Sequence, residues 1–163
     1  MIARLTATFF GVGYLSPGSG TLGSGVALVL AGIIHVFAGF PGLVVATICG
    51  GLVGWWSVAA LTRDAESCDR SEFVIDEVVG QWLTLWPISW IAMNEGVPLS
   101  VLWFECALAF LLFRLFDILK PGPVGWIDQH DGPLAVMSDD VVAAIFAAVL
   151  TTLITLSFID RSI

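Results

Sequence analysis

The sequence from residue 5 to residue 62 reads LTATFFGVGYLSPGSGTLGSGVALVLAGIIHVFAGFPGLVVATICGGLVGWWSVAALT. These 58 residues contain no Asp, Glu, Lys or Arg. About 20 helical residues, each rising about 1.5 Å, cross a hydrocarbon core of roughly 30 Å. The stretch is therefore long enough for two membrane-spanning helices. We place them at about residues 22–40 and 42–61, with a turn at Phe40, Pro41 and Gly42.

The composition of the whole chain favours a membrane environment. Of its 163 residues, 58% are hydrophobic and 12% are charged, and the mean hydropathy is +0.95. A soluble domain carries about 25% charged residues, because its outer surface faces water. The same values exclude collagen-like, coiled-coil and disordered chains. The net charge of -8 argues against a nucleic-acid partner, which requires a basic surface.

Three further apolar runs complete the predicted fold, an all-α polytopic membrane bundle with about five transmembrane helices. They lie at about residues 78–93, 99–116 and 141–159, and Pro87 predicts a kink or tilt in the first of them. Residues 1–10 show no convincing cleavage signal, so we expect an N-terminal interfacial or re-entrant segment there. The length predicts a single membrane domain, residues 1–163.

The predicted spans place most charged residues on one side of the membrane. Following the chain through five crossings, segments 11–21, 62–77 and 117–140 all emerge on that side. It also has most of the basic residues, which predicts a cytoplasmic face: Arg4, Arg63, Arg70, Arg114 and Lys120. With the adjoining span ends, it holds 11 of the 14 acids: Asp64, Glu66, Asp69, Glu72, Asp76, Glu77, Asp117, Asp128, Asp131, Asp139 and Asp140.

A first candidate motif, LSPGSGTLGSG, occupies residues 15–25. Its small residues free the backbone to present N–H groups at the start of the first span, where the helix dipole attracts phosphate. The motif lacks the Lys of a Walker A loop. The alternative is a flexible loop before the helix, in which Thr21 or Ser24 acts only as a cap.

A second motif, DAESCDRSEFVIDE, occupies residues 64–77. It places Asp64, Asp69 and the adjacent pair Asp76 and Glu77 just before an apolar run. Clustered carboxylates repel one another unless a cation neutralises them, and their oxygens suit a hard ion such as Mg²⁺. The alternative is that Asp76 caps the third span and the other acids lie in a solvated loop.

A third motif, residues 113–140, brings basic and acidic residues together. Arg114, Asp117 and Lys120 are spaced to lie near one face of a helix that continues to Pro121. They form either a structural ion pair or a site in which the cations hold phosphate and Asp117 holds metal. The motif ends with two acids that exceed what one helix cap needs, Asp139 and Asp140.

Three ionisable residues outside these patterns give weaker signals. Glu105 lies within the fourth span, where it is either functional or paired with a neighbouring helix. His35 is interpreted as a helix-packing residue. His130, in the charged loop, is either a general acid or a solvated side chain.

Together the three motifs resemble phosphatidylglycerophosphatase A, a family of bacterial membrane lipid phosphatases. The resemblance covers about residues 11–144. The family's Gly-Thr-x-Gly-Ser element corresponds to residues 20–24, and its acidic loop ending in Asp-Glu corresponds to residues 64–77. Its Phe-Arg-x-x-Asp-x-x-Lys-Pro-x-Pro element corresponds to residues 113–123, and its closing Met-x-Asp-Asp corresponds to residues 137–140.

The sequence departs from the family pattern at three positions. Ser19 stands where many members have proline, and Pro133 and Ala135 replace glycines of the usual Gly-Gly-x-Gly loop. Proline and alanine restrict the backbone more than glycine does, so we expect this loop to differ in conformation or mobility. The ionisable residues of the motifs are intact.

The resemblance implies Mg²⁺-dependent removal of the terminal phosphate from phosphatidylglycerophosphate at the cytoplasmic face of a bacterial inner membrane. The metal ligands and catalytic acids are expected to be Asp76, Glu77, Asp117, Asp139 and Asp140. Further metal-ligand candidates are Asp64, Asp69 and Asp128. The phosphate-binding candidates are Arg114, Lys120, Thr21 and Ser24, with Lys120 also counted as catalytic. Water activated by a carboxylate is the preferred nucleophile, and direct attack by an Asp is the rival.

Other functions remain open at this stage. A small divalent-cation transporter or channel would use the same acids to bind its ion, but it predicts ionisable residues along a path through the membrane. A purely structural scaffold leaves the clustering of the acids unexplained. The expected partners are the lipid substrate and membrane lipids, with no nucleic acid, and a homo-oligomer is an open possibility.

Overall fold

The computed structural model describes residues 1–15, 18–63, 70–130 and 132–160, and every regular element in these ranges is helical. The α-helices are α1 (Ile2–Ala7), α2 (Ser19–Thr62), α3 (Ile75–Thr84), α4 (Trp86–Glu95), α5 (Trp103–Leu119), α6 (Pro123–Asp128) and α7 (Pro133–Asp160). Two 3₁₀ turns lie at Val12–Tyr14 and Leu99–Leu102. The prediction of an all-α fold is confirmed.

Three helical segments of the described chain are long and apolar enough to cross a membrane. They are Ser19–Thr62, Leu99–Leu119 and Pro133–Ser157. Many large apolar side chains on them point outward, including Phe37 at 85% and Val36 at 72% exposed. Such extensive exposed apolar surface is suited to lipid and not to water. The chain is thus a helical membrane protein, while the count of about five crossings stays a prediction.

The first two predicted spans form one 44-residue element, α2, with a break at Gly39. Gly39 has φ 61° and ψ -161°, a backbone conformation that glycine adopts readily, and Pro41 follows it. Gly23 and Gly54 lie against consecutive residues, Val74 and Ile75. In a straight helix these two glycines would be roughly 46 Å apart. The chain therefore reverses near Gly39, and the two arms of α2 lie side by side.

Helices α3 and α4 divide the third predicted span at Leu85, close to the kink that Pro87 predicts. Hydrogen bonds from two tryptophans connect this pair of helices to both arms of α2. The indole N–H of Trp82 donates to the carbonyl of Ala27 at 2.9 Å, and that of Trp86 donates to Thr47 Oγ1 at 3.1 Å. These bonds satisfy the polar atom of each ring inside an apolar bundle.

Two helix ends differ from the sequence-based expectation, and both differences shape the site. Helix α5 ends at Leu119, so Lys120 is outside it with a left-handed φ of 45°. Helix α7 begins at Pro133, well before the apolar run at residue 141, so Asp139 and Asp140 lie in its second turn and do not cap it. Glu105 lies in the first turn of α5, not in the middle of a span.

Small residues allow the helices that carry the acids to approach closely. Phe113 of α5 is fully buried among Ala143, Ala144 and Ala147 of α7. A Cβ atom on Gly80 of α3 would lie 2.6 Å from the Phe113 ring, which is too close. The glycine and the alanines therefore bring α3, α5 and α7 together just below the charged motifs.

Candidate active site

A cavity of about 300 Å³ lies where α2, α3 and α7 begin and α5 ends. Segments far apart in sequence contribute to its wall, from Gly18 to Asp140. Its charged lining consists of Asp76, Glu77, Asp117, Asp128, Asp139, Asp140, Arg70, Arg114 and Lys120, and His130 also lines it. Six carboxylates thus face three cations among the described residues.

The acidic centre of the cavity consists of Asp76, Glu77 and Asp140. Each of these residues has a carboxylate oxygen within 4.8 Å of the corresponding oxygens of the other two. Asp76 is 9% exposed and Asp140 is 3% exposed. Asp76 and Glu77 belong to the first turn of α3, where the positive end of the helix dipole favours acids. This favourable field does not by itself neutralise three carboxylates held so close together.

The environment of the acidic centre makes its acids retain protons. Burial, followed by the charge of Glu77, raises the pKa of Asp76 well above its usual value. Burial also raises the pKa of Glu77 to about 7, and the charges of Asp140 and Asp117 add to it, while Asp76 and Arg114 oppose the rise. Near neutral pH, a cation would relieve this accumulation of charge and displace the protons.

Arg114 connects the acidic centre to α5. Its Nη1 atom lies 2.5 Å from Asp117 Oδ2, one helical turn away, and 4.0 Å from Glu77 Oε1. The same Nη1 is 3.5 Å from the hydroxyl oxygen of the buried Ser24. The guanidinium thereby holds Asp117 and Glu77 at the same side of the cavity.

A second group, the lysine cluster, consists of Lys120, Asp128 and Asp139. Lys120 Nζ donates to Asp139 Oδ2 at 2.9 Å and also contacts Asp128 Oδ1. Although burial lowers the pKa of Lys120, its hydrogen bonds to Asp128 and Asp139 outweigh burial and raise that pKa above its usual value. The ammonium group is therefore charged and fixed in position at the cavity wall.

Several carboxylate oxygens at the site are buried without a hydrogen-bond partner among the described residues. They are Glu77 Oε2, Asp139 Oδ1 and Asp140 Oδ2. Leaving a charged oxygen buried and unpaired is costly, so such atoms indicate a missing partner. Carboxylate oxygens are the ligands that Mg²⁺ takes in proteins, usually with some waters retained. The acidic centre therefore fits a divalent cation of this kind.

Comparison with known proteins assigns the chain to a family. The family model described as “Phosphatidylglycerophosphatase A” matches residues 5–155, most of the chain. The chain belongs to the phosphatidylglycerophosphatase A family. This membership confirms the predicted family, which consists of phosphoric monoester hydrolases acting on lipid.

Three curated relatives are similar over most of their length. Phosphatidylglycerophosphatase A of Haemophilus influenzae is 33% identical over 90% of this chain and 85% of its own. A Bacteroides thetaiotaomicron protein named “Putative phosphatidylinositol-3-phosphatase” is 32% identical over 90% of this chain and 89% of its own. Phosphatidylglycerophosphatase A of Escherichia coli is 28% identical over 89% and 78%, respectively. No solved structure matches the chain.

Most residues predicted for the phosphatidylglycerophosphatase A site lie together in the cavity. The predicted residues that line it are Asp76, Glu77, Arg114, Asp117, Lys120, Asp128, Asp139 and Asp140. Ser24 is fully buried beneath the cavity, where its hydroxyl donates to the Gly20 carbonyl at 2.9 Å. Thr21 is exposed and does not line the cavity. Asp64 and Asp69 lie outside the described residues, and their predicted roles stay predictions.

The cavity also has lining residues that were not among the predicted site residues. Arg70 and Gly20 are the clearest cases. A Cβ atom on Gly20 would overlap the Glu77 carboxylate, so the Gly-rich motif serves close approach of the backbone to the acidic centre. His130, which the sequence left open, lines the cavity, while its Nδ1 lies 2.8 Å from the Trp126 carbonyl.

Proposed function

We propose that the chain is a Mg²⁺-dependent phosphatase that converts phosphatidylglycerophosphate to phosphatidylglycerol and inorganic phosphate. Family membership supports the lipid phosphatase activity, and the names of two of the three relatives support the substrate. The observation that supports a metal most strongly is the acidic centre, with three carboxylates within 4.8 Å of one another.

The residues that would hold the ion are those of the acidic centre, with Asp117 and Asp139 beside it as further candidates. Asp64, Asp69 and Asp128 complete the proposed set of ligands. When bound, Mg²⁺ would polarise the phosphoryl group and lower the pKa of a bound water molecule.

Lys120 and Arg114 would offset the charge that develops on the phosphate oxygens in the transition state. Such fixed charges act strongly because the protein has already oriented them. Asp139 and Asp128 hold the ammonium of Lys120, and Asp117 holds the guanidinium of Arg114. Phosphate oxygens would compete best for Lys120 against Asp128, whose side chain is 40% exposed. Thr21 and Ser24 are further phosphate-binding proposals, on the helix whose start lines the cavity.

The nucleophile would be water activated by one of the cavity carboxylates. Asp139 is a good candidate base, because Oδ2 accepts from Lys120 while Oδ1 has no partner among the described residues. Direct attack by an Asp is the rival mechanism. Both mechanisms place one oxygen from water in the released phosphate, so acid quenching during turnover separates them: an acyl phosphate on the protein indicates attack by an Asp, and its absence indicates attack by water.

We further infer that the helices make five crossings, at about residues 22–40, 42–61, 78–93, 99–116 and 141–159. The reversal near Gly39 and the bonds from Trp82 and Trp86 to the two arms of α2 support three adjacent crossings. Most of the basic residues lie on the predicted side of the membrane that carries the cavity, which supports a cytoplasmic site in the inner membrane of a bacterium. The acyl chains would then stay in the bilayer while the headgroup enters the cavity.

The transporter alternative is not favoured. A cation pathway requires ionisable groups through the bilayer. Among the described acids of the cavity, Asp128 ends α6 and the others lie near the ends of α3, α5 and α7 that meet at one face. Glu105 lies in the first turn of α5.

The test is phosphate release from phosphatidylglycerophosphate by purified protein in mixed micelles, with Mg²⁺ and with a chelator. The proposal predicts release that requires Mg²⁺ and is restored when Mg²⁺ is added back. Glu95→Gln is the matched control, because Glu95 ends α4 and does not line the cavity, and it should keep full activity. Folded wild-type protein that releases no phosphate would reject the function, and full activity in chelator would reject the metal.

A further inference from the structure

Three cations of the described part of the chain line the cavity, and Arg70 differs from the other two. Arg114 and Lys120 each contact two carboxylates of the site. Among the described residues Arg70 has one ion pair, a 3.9 Å contact with Glu72, and its side chain is 38% exposed. Such a long, exposed pair contributes little. Arg70 is therefore the lining cation with the most positive charge left to offer a ligand.

The turn that carries Arg70 is fixed to the cavity wall. The Phe73 N–H donates to the Arg70 carbonyl at 2.8 Å, and the Ser19 hydroxyl donates to the Ser71 carbonyl at 2.7 Å. The Arg70 guanidinium lies 5.8 Å from the centre of the Phe73 ring, which is only 5% exposed. A cation–π contact with a buried ring favours one region for the charge. The guanidinium is thus held beside the Phe73 ring, in the cavity wall and partly exposed.

The proposed substrate contains two phosphates with different fates. The terminal phosphomonoester is hydrolysed, and the phosphodiester that links the headgroup to diacylglycerol is not. Arg114, Lys120 and a cation at the acidic centre would neutralise the first, but they leave the second without a partner. The planar guanidinium of arginine matches two phosphate oxygens at once.

We propose that Arg70 binds the phosphodiester of the lipid headgroup and selects substrates in which a phosphomonoester and a phosphodiester flank a small alcohol. This inference rests on the proposed function and adds the group that recognises the non-reacting phosphate. Phosphatidylinositol 3-phosphate has the same pair of groups, so the names of all three relatives fit this substrate class.

The experiment compares wild type with Arg70→Gln and Arg70→Lys. The control is Arg63→Gln, which removes a nearby positive charge that does not line the cavity. Steady-state kinetics with phosphatidylglycerophosphate in mixed micelles give kcat and KM. The inhibition constants of two competitive inhibitors report on the two phosphates separately. Phosphatidylglycerol contains only the phosphodiester, and inorganic phosphate resembles only the phosphomonoester.

Arg70→Gln should raise the KM for substrate and the inhibition constant of phosphatidylglycerol about tenfold, the effect of losing a charged hydrogen bond. It should leave kcat and the inhibition constant of inorganic phosphate unchanged. Arg70→Lys should recover part of the loss, and Arg63→Gln should match wild type. A Mg²⁺-dependent thermal shift like that of wild type establishes that each variant is folded.

Three results would overturn the assignment. A parallel rise in the inhibition constant of inorganic phosphate would place Arg70 at the reacting phosphate. A fall in kcat at constant KM would also place Arg70 at the reacting phosphate. Unchanged kinetic and inhibition constants would show that Arg70 does not bind the substrate. Inactivity of the wild type on phosphatidylglycerophosphate would reject the proposed function instead, and the same comparison of variants would then use phosphatidylinositol 3-phosphate.

Discussion

The acidic centre and the lysine cluster occupy the same cavity but differ in how their charges are balanced. In the lysine cluster, one ammonium lies between two carboxylates and contacts both. In the acidic centre, three carboxylates lie together, and the cation paired with one of them among the described residues is Arg114, 4.0 Å from Glu77. In the lysine cluster each carboxylate therefore contacts a cation and one negative charge is left in excess, whereas the acidic centre requires a proton or a cation from outside. This difference supports the proposed division, with metal binding at the acidic centre and phosphate stabilisation at the lysine cluster.

The largest effect is expected from removing one carboxylate of the acidic centre. Asp140→Asn should lower phosphate release at least about a hundredfold. Loss of a residue that only hydrogen-bonds to a metal ligand typically lowers activity or metal affinity about 10–100-fold, and loss of a ligand itself should lower it at least as much. The assay is the Mg²⁺-dependent release already described, with Glu95→Gln beside it. Activity within a few-fold of wild type at every Mg²⁺ concentration would remove Asp140 from the metal site.

Loss of the ammonium in the lysine cluster should give a smaller effect of a different kind. Lys120→Gln should lower kcat about ten- to a hundredfold, the range for a charged hydrogen bond made in the transition state. The Mg²⁺ concentration for half-maximal activity should stay near the wild-type value, because the acidic centre is intact. A large rise in that concentration, with kcat retained at saturating Mg²⁺, would show that Lys120 contributes to metal binding and not to phosphate stabilisation.

The pH dependence of ion binding should report on the acidic centre. The pKa of Glu77 is raised to about 7, so below this pH an ion must displace a proton. Apparent Mg²⁺ affinity should therefore increase about tenfold or more from pH 6 to pH 8. Without the ion, the raised pKa means that the folded state holds this proton more tightly than the unfolded state. Glu77 therefore lowers the stability of the ion-free protein as pH rises from 4.5 towards 7. Titrations that give the same affinity at both pH values would contradict this view of the centre.

The smallest effect is expected at the exposed side of the lysine cluster. Asp128→Asn removes a partner whose side chain is 40% exposed, while Asp139 still holds the ammonium. A pair of this exposure contributes about 1 kcal/mol or less, so kcat should change by about fivefold at most. A loss as large as that of Asp140→Asn would instead place Asp128 among the essential metal ligands.

The sequence predicted which charged residues lie together better than it predicted the ends of the helices. Counting apolar spans was enough to place Asp76, Asp117 and Asp140 on one side of the membrane, because each flanks an apolar run. Hydropathy marks where a helix can enter lipid, not where it begins. The start of α7 at Pro133 was therefore missed, although proline is a common first residue of a helix.

Other features depend on contacts that a single sequence does not encode locally. Arg70 lines the cavity because its turn is bonded to Ser19, which is 52 residues away from Ser71. Lys120 leaves α5 because Pro121 follows it and disfavours a right-handed helical conformation there. The close approach of Gly20 to Glu77 likewise requires the packing of α2 on α3, so the sequence alone predicted either a phosphate loop or a flexible loop before the helix for the Gly-rich motif.

Calorimetric titration of the metal-free protein with Mg²⁺ at pH 8 tests the central claim most directly. The wild type and Glu95→Gln should bind the ion saturably, and Asp140→Asn should show at least about a hundredfold weaker binding. Equal binding by wild type and Asp140→Asn, or an active wild type that binds no divalent ion, would contradict the account.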